Sequence, residues 1–364
     1  MSNKVCLVIS TLSGGGAEGV CINLANGLAE RGLDVTLLVL NLNKADYLDR
    51  VNEKVTIYSL DVDKARYCGF KLREFINGNE ISKYVVFNYE LAVLLIMIRY
   101  SFIKDIKIIS RNINTISKNK NDIKGLFGRY IAIPLINNLY SKSDHIVNQC
   151  VGMKDDLIRE LPKVKGKVSV IYNPVNKIIE NYNHKNKEEN KSEDDYILCV
   201  GRLDKQKAFH IAIEAFASVV KKHHKLKLKI VGQGPLLSEL ESLVERLDIK
   251  ESVDFEGFQS DIIPYYLGAS MTLMTSDYEG FPNVLIESIT LGTPIVSLDC
   301  NSGPREIITK SNGILVNIED FDGLVMAINK TYENKSDFYN VIESSKYFRN
   351  EKIIENWMLL LNDF

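Results

Sequence analysis

The sequence predicts an α/β protein of two domains, each a parallel sheet covered by helices. Three observations carry this. Short β-branched runs alternate with amphipathic segments along the whole chain, the pattern of strand and helix repeats. The length of 364 residues exceeds one ordinary core and suits two domains of roughly 150 to 180 residues each. Finally, residues 176–195 are almost all Asn, Lys, Glu and Asp after the first few, a composition that cannot bury enough to fold alone. The expected boundaries are therefore 1–175 for a first domain, 176–195 for a linker, 196–345 for a second domain and 346–364 for a terminal helix.

In the first half the strand candidates are Val5 to Ser10, Val35 to Leu40, Val55 to Leu60, Tyr84 to Asn88, Ile106 to Ser110, His145 to Gln149 and Val168 to Tyr172. In the second they are Tyr196 to Val200, Leu228 to Val231, Val253 to Glu256, Met271 to Thr275, Pro294 to Leu298 and Ile314 to Val316. Between them, residues such as Ile211, Ala212, Ala215, Phe216 and Val219 place one apolar stripe on a helix. Ile353, Ile354, Trp357 and Leu360 do the same in the terminal segment, which therefore needs a surface to cover.

Composition bounds the function. The net charge of −2 hides an asymmetry: residues 1–175 carry 24 Lys and Arg against 17 Asp and Glu, the remainder 21 against 30. The stretch from Arg99 to Arg129 holds eight basic and two acidic residues, which fits either a solvated face or attraction to an anionic surface. It lacks aromatic interleaving, so no nucleic acid is expected as a partner. Six scattered cysteines without a C-x-x-C pair read as reduced, buried thiols of a cytoplasmic protein. No secretory signal is expected, and the longest apolar run, Leu91 to Ile98, is eight residues, short of the ~20 that a membrane span needs.

Ligands of open α/β sheets sit at the carboxyl ends of the strands, and four loops there stand out. Gly14 to Gly19 spells G-x-G-x-x-G after the first strand, but no Asp or Glu follows the second strand at Leu40 and Asn41 to grip a ribose. The glycines then make either a tight turn or a backbone cradle for phosphate. Gly201 to Lys207 (GRLDKQK) puts Arg202 and Lys207 after the strand ending at Val200. Gly232 to Pro235 is a glycine turn read as opening a helix, with Pro at its first position. Lastly, in SDYEGFPNVLIES (276–288), Glu279 precedes a helix begun by Pro282 and closed near Gly292, while Glu287 lies within it. No His, Cys or Ser–His pair stands beside these glutamates to make a proton relay. They are acceptors at two depths, suited to hydroxyl groups on two rings.

GRLDKQK, YEGFPNVLIES (278–288) and SGPREI (302–307), with SGGGAEG near the start, resemble the family 4 glycosyltransferases of the GT-B fold, two Rossmann-like domains facing each other across a cleft. The resemblance implies a catalytic set of Arg202, Lys207 and Glu279, the cations neutralising the diphosphate of a nucleotide sugar and Glu279 holding its sugar hydroxyls. It further implies donor binding by Gly15, Gly16, Gly201, Gly232, Phe281, Pro282, Asn283, Val284 and Glu287, the last on the ribose. Arg111 and Asn112 stand where many relatives carry a histidine, and would face the acceptor. Ala208 stands where the family usually has Gly, which bears on the shape of the loop. The terminal helix would cross back to the first domain.

The same resemblance implies a retaining transfer of a hexose or N-acetylhexosamine from a UDP-sugar. The acceptor would be a polyprenyl-diphosphate-linked or polysaccharide chain of surface-glycan synthesis, with peripheral contact to an anionic membrane. Cofactors and metals are expected to be absent; the D-x-D of Asp61 to Asp63 is a short match to the metal motif of a different fold. A noncatalytic sugar-nucleotide binder and an NAD-dependent oxidoreductase are the alternatives.

Overall fold

The structure, a computed structural model, describes residues 3–43, 45–102, 105–113, 115, 117, 130, 133–182, 195–334, 337, 338 and 340–364. The chain forms two compact units, Met1–Asn176 with Asn350–Phe364, and Lys177–Arg349.

The first unit holds β1 (Lys4–Ile9), β2 (Asp34–Val39), β3 (Val55–Ser59), β4 (Lys83–Val86), β5 (Lys107–Arg111), β6 (His145–Asn148) and β7 (Val168–Val170). They lie in the order β3-β2-β1-β4-β5-β6-β7, and all pairs are parallel. Alternation along each strand feeds two cores. Cys6, Val8, Leu38, Tyr84 and Ile108 face one of them, and Val5, Leu7, Leu37, Val85 and Ile109 the other. Both faces are covered at the centre of the sheet, so a strand such as β1 reads as a nearly unbroken apolar run, whereas edge strand β3 alternates between buried and exposed residues.

The terminal helix, Asn350–Asn362, buries Ile353, Ile354, Trp357 and Leu361 against the first unit. Leu361, not Leu360, is the fourth fully buried position; Leu360 is half-buried at the edge of the same core. Gly27 on the helix Gly16–Glu30 makes the close approach feasible, since a Cβ there would lie 2.5 Å from the Ile354 side chain. Buried Lys83 donates from Nζ to the carbonyl oxygen of Leu361 at 2.7 Å, placing a cation at the negative end of that helix.

The second unit holds β8 (Tyr196–Val200), β9 (Lys227–Val231), β10 (Val253–Gly257), β11 (Ala269–Met274), β12 (Ile295–Leu298) and β13 (Gly313–Val316), in the order β10-β9-β8-β11-β12-β13. Every sequence-predicted strand is present, with ends moved by at most two residues. The expected linker and tail limits differ from the observed ones. Lys177–Glu180 is a short helix of the second unit, anchored by buried Ile179 ahead of the polar run. Residues 183–194 of that linker lie outside the described residues. The tail begins at Asn350 rather than 346, since Phe348 is buried in the second unit with its ring 5.6 Å from that of Phe281.

His145 opens β6, its Nε2 2.9 Å from Ser169 Oγ and its ring 5.9 Å from that of Phe364. Burial lowers its pKa, with Asp363 opposing and Lys167 adding to the shift. A histidine pKa depressed by folding means that the unfolded chain binds the proton first. Stability should therefore fall as pH drops below about 6.5, the unfolded value. The urea midpoint of His145→Asn is expected to change less between pH 7.5 and 5.5 than that of the parent; equal changes would show that His145 does not contribute.

Candidate functional site

In the second unit, β9 and β10 lie to one side of β8, and β11, β12 and β13 to the other. The strand order therefore reverses between β8 and β11, and a crevice opens at the carboxyl ends of such a pair. The loop after β8 carries Gly201 to Lys207, and the loop after β11 carries Ser276 to Pro282.

These loops are bonded to each other. Lys207 Nζ lies 2.6 Å from Glu279 Oε1, both side chains mostly buried at 19% and 8% exposure. Ser276 Oγ, fully buried, donates to the same oxygen at 2.7 Å. Gln206 Nε2 donates to the Tyr278 carbonyl at 3.0 Å, and the Asp277 N–H to the Gln206 carbonyl at 2.9 Å. Thr275 Oγ1 bonds the carbonyls of Lys207 and Ala208 at 3.3 and 3.1 Å. A lysine and a glutamate 72 positions apart are thus held as a buried ion pair by five further contacts. Cys300 lies close by, its thiol pushed up to about 12 by burial and by Glu279 while Lys207 opposes; it stays protonated at neutral pH.

Backbone geometry sets the loop after β8. Gly232 has φ +142°, and a Cβ there would come within 1.8 Å of the Gly201 carbonyl oxygen. The stem of Lys207 passes over Gly201, 3.1 Å from where a Cβ would stand. Ala208, before the helix Phe209–Val220, takes the left-handed conformation with φ 45° and ψ 43°. That is the conformation a glycine accepts without strain, so the departure from the family pattern keeps the loop shape at an energetic cost. Pro235 lies in a turn ahead of the helix Leu237–Arg246 rather than at its first position.

The helix that follows Glu279 is Asn283–Thr290. Pro282 is its N-cap rather than its first residue, and Gly292 follows its end with φ +79°. Phe281 is buried, while Asn283, Val284 and Glu287 are half-buried. Glu287 Oε2 accepts from the Tyr266 hydroxyl at 3.0 Å. Burial, reinforced by Glu287, pushes the Tyr266 phenol well above its ordinary pKa, so it remains a donor. The SGPREI turn braces this region: Ser302 and Gly303 have φ +74° and +89°, and a Cβ at Gly303 would lie 2.5 Å from Pro282 Cδ. Arg305 secures the turn with Nε 2.7 Å from Asp299 Oδ1.

The structure therefore brings Lys207 and Glu279 together, with Gly201 and Gly232 framing the loop and Phe281 to Glu287 on the next element. Arg202 stands apart, its side chain 73% exposed and its Nε 3.8 Å from Asp204 Oδ2. Ser276 and Tyr266 were not marked by the sequence. Ser276 lies within the quoted motif, three positions before Glu279, where a hydroxyl able to reach the carboxylate was the available signal; Tyr266 sits in a segment with no motif at all.

In the first unit the glycine turn joins β1 to the helix Gly16–Glu30, with Gly14 at φ +90°, Gly15 as N-cap and Gly16 the first helical residue. The Glu18 carboxylate lies against Gly15, Oε2 being 2.3 Å from where a Cβ would stand, and accepts from Thr11 Oγ1 at 3.3 Å. Arg111 and Asn112, the acceptor-side candidates, are buried. Arg111 bonds Asn173 and lies 4.9 Å from the Phe87 ring, and burial lowers its pKa to about 10. Asn112 bonds Asn148 at 2.7 Å and accepts from Tyr140 at 2.5 Å. Both side chains are engaged in a polar network at the strand ends. Of the other basic residues between Arg99 and Arg129, Arg99 is paired with Asp144 and Lys107 lies 4.0 Å from Asp105. Residues 104, 118, 120, 124 and 129 lie outside the described residues. Asp61 of the D-x-D accepts from Ser59 Oγ, and among the described residues no three His, Cys, Asp or Glu side chains converge as metal ligands.

Known proteins match this chain across both units. Residues 14–177 match the model of Glycosyltransferase Family 4, and residues 181–351 that of Glycosyl transferases group 1. An uncharacterized glycosyltransferase of Haemophilus influenzae is 30% identical over 96% of this chain and 97% of its own. The N-acetylgalactosamine-N,N'-diacetylbacillosaminyl-diphospho-undecaprenol 4-alpha-N-acetylgalactosaminyltransferase of Campylobacter jejuni is 33% identical over 60% of each chain. Among solved structures, Anabaena HepE in complex with UDP and glucose superposes with a TM-score of 0.79 at 17% identity, covering 99% of this chain and 100% of that one. Two Rossmann-like domains of this kind match the GT-B fold of that neighbour. More narrowly, the chain belongs to the family 4 glycosyltransferases.

Proposed function

We propose that the protein transfers a hexose or N-acetylhexosamine, with retention of anomeric configuration, from a UDP-sugar to a lipid-linked or polysaccharide acceptor of surface-glycan synthesis. The observation that carries this is the Lys207–Glu279 pair at the β8/β11 switch point. Departure of a nucleoside diphosphate builds negative charge, and a fixed cation beside a helix start stabilises it. Lys207 supplies that charge, and exposed Arg202 adds a second on turning inward. Glu279 holds sugar hydroxyls and Glu287, steadied by Tyr266, holds those of the ribose. Attack comes from the face that the leaving group vacates, without a protein nucleophile. The Campylobacter relative, whose name specifies a diphospho-undecaprenol acceptor, and the UDP-bound neighbour support this choice of substrates.

The test is a donor screen with a polyprenyl-diphosphate-linked acceptor, across UDP-Gal, UDP-GalNAc, UDP-Glc, UDP-GlcNAc and GDP-mannose. Transfer from a UDP-sugar that persists in EDTA is expected. Binding without release of nucleotide would instead mark a noncatalytic binder, and nicotinamide binding an oxidoreductase. Glu287→Gln is expected to weaken UDP binding about tenfold, as loss of a charged hydrogen-bond acceptor does; unchanged affinity in calorimetry would remove Glu287 from the ribose site.

The protein acts at the cytoplasmic face of a membrane in this reading. No helix among the described residues is long and apolar enough to cross one. Exposed Met97 and Tyr100 on the helix Tyr89–Phe102 support peripheral contact. Co-flotation with anionic liposomes at low salt is expected, and failure to float would exclude it.

A further inference from the structure

Glu279 Oε1 receives two donors, Lys207 Nζ at 2.6 Å and Ser276 Oγ at 2.7 Å. The proposed function, on which this inference rests, requires the same lysine to serve the diphosphate of the donor. A carboxylate and a diphosphate then compete for one cation. The competition takes place in a largely desolvated setting, where charges are weakly screened. We propose that Ser276, Glu279 and Lys207 form a charge-sharing unit that holds Lys207 back from a bare nucleoside diphosphate, with Ser276 as the positioning residue that tunes the hold.

The chemistry depends on what each ligand can offer Glu279. A nucleotide sugar brings hydroxyls that donate to the carboxylate, replacing what it loses as Lys207 turns to the phosphates. The spent nucleoside diphosphate brings no such hydroxyls to that place. Binding it either pulls Lys207 away and leaves a buried carboxylate undercompensated, or leaves the lysine shared and the diphosphate weakly held. The site therefore favours the intact donor over its product, which promotes turnover by hastening product release. Ser276 moderates this. Its hydroxyl takes part of the charge on the oxygen that Lys207 contacts, and so loosens the ion pair.

Two substitutions in this one site should have opposite effects. Glu279→Gln frees Lys207 and is expected to bind nucleoside diphosphate about tenfold more tightly, the worth of one charge-assisted hydrogen bond, while losing transfer. Ser276→Ala concentrates the carboxylate on Lys207 and is expected to bind nucleoside diphosphate about threefold more weakly, the worth of one neutral hydrogen bond. Ser276→Thr, which keeps the hydroxyl, should restore the parent value. General loosening of the fold would weaken binding in both variants, so the difference in sign is diagnostic.

The experiment is calorimetric titration of UDP and GDP into the full chain and each variant, with product-inhibition constants as a second readout. Tighter binding by Glu279→Gln together with weaker binding by Ser276→Ala supports the proposal. Parent binding with no gain in Glu279→Gln, or tighter binding by Ser276→Ala, overturns the competition and leaves the nucleotide site standing. Failure of the parent to bind either nucleotide overturns the nucleotide site itself, and the proposal with it.

Discussion

Lys207→Met is expected to lower turnover by about 10²-fold or more, the usual loss when one preorganised charge partner of a transition state is removed. It should also destabilise the second unit. Glu279 is left at 8% side-chain exposure without its cation, and breaking a buried pair from one side costs about 3 kcal/mol or more. Some of that is recovered through the Ser276 hydrogen bond. The companion change separates the two losses: in Lys207→Met with Glu279→Gln, no charge is left to compensate, and the urea midpoint should return most of the way to the parent value. Turnover should not return. Recovery of both would mean that the pair is structural and that the diphosphate is neutralised elsewhere, Arg202 being the first alternative. Turnover within a fewfold of the parent in the single variant would remove Lys207 from the reaction.

Much of this architecture could be read from the chain because parallel strands buried on both faces have no polar side to interrupt them. The central strands appear as apolar runs, such as Val5 to Ile9 and Tyr196 to Cys199, while edge strands such as Val55–Ser59 and Val253–Gly257 alternate with polar residues. The two bonded loops were equally visible as motifs, since each directly follows a strand: Lys207 comes after β8 and Glu279 after β11. What could not be read is which loop residues meet. A loop has no period, so nothing in GRLDKQK tells that Lys207 turns inward while Arg202 is left 73% exposed. The supporting shell was hidden for the same reason: Tyr266 reaches Glu287 across 21 positions. At Arg111 the resemblance supplied only a position, that of a histidine in many relatives; its packing against Phe87 and Asn173 is something that only the fold reveals. The terminal segment shows the limit of periodicity, which gave the right helix face but placed Leu360 where Leu361 is the buried residue.

Gly232→Ala should be the most damaging single methyl in the second unit. The position combines φ +142° with a would-be Cβ 1.8 Å from the Gly201 carbonyl oxygen, and backbone cannot swing aside as a side chain can. The Gly201 N–H is itself bonded to the Val231 carbonyl at 2.9 Å, and the Leu203 N–H to the Gln233 carbonyl at 3.1 Å. The collision therefore pushes on two loops that are tied together, at the root of the segment carrying Arg202 and Lys207. A loss of more than about 3 kcal/mol in stability is expected, the range reached by core overpacking and backbone strain together. Gly257→Ala supplies the control: that glycine also has positive φ, +67°, but nothing lies within 4 Å of its would-be Cβ, so only the conformational cost of about 1–2 kcal/mol applies. The difference between the two variants in urea unfolding reports the contact between loops together with the less accessible backbone angle of Gly232. Equal losses would mean that the close approach to Gly201 adds nothing to the cost of the substitution. A larger loss in Gly232→Ala, with turnover falling further than the folded fraction accounts for, would show that the approach of these two loops sets the position of Lys207.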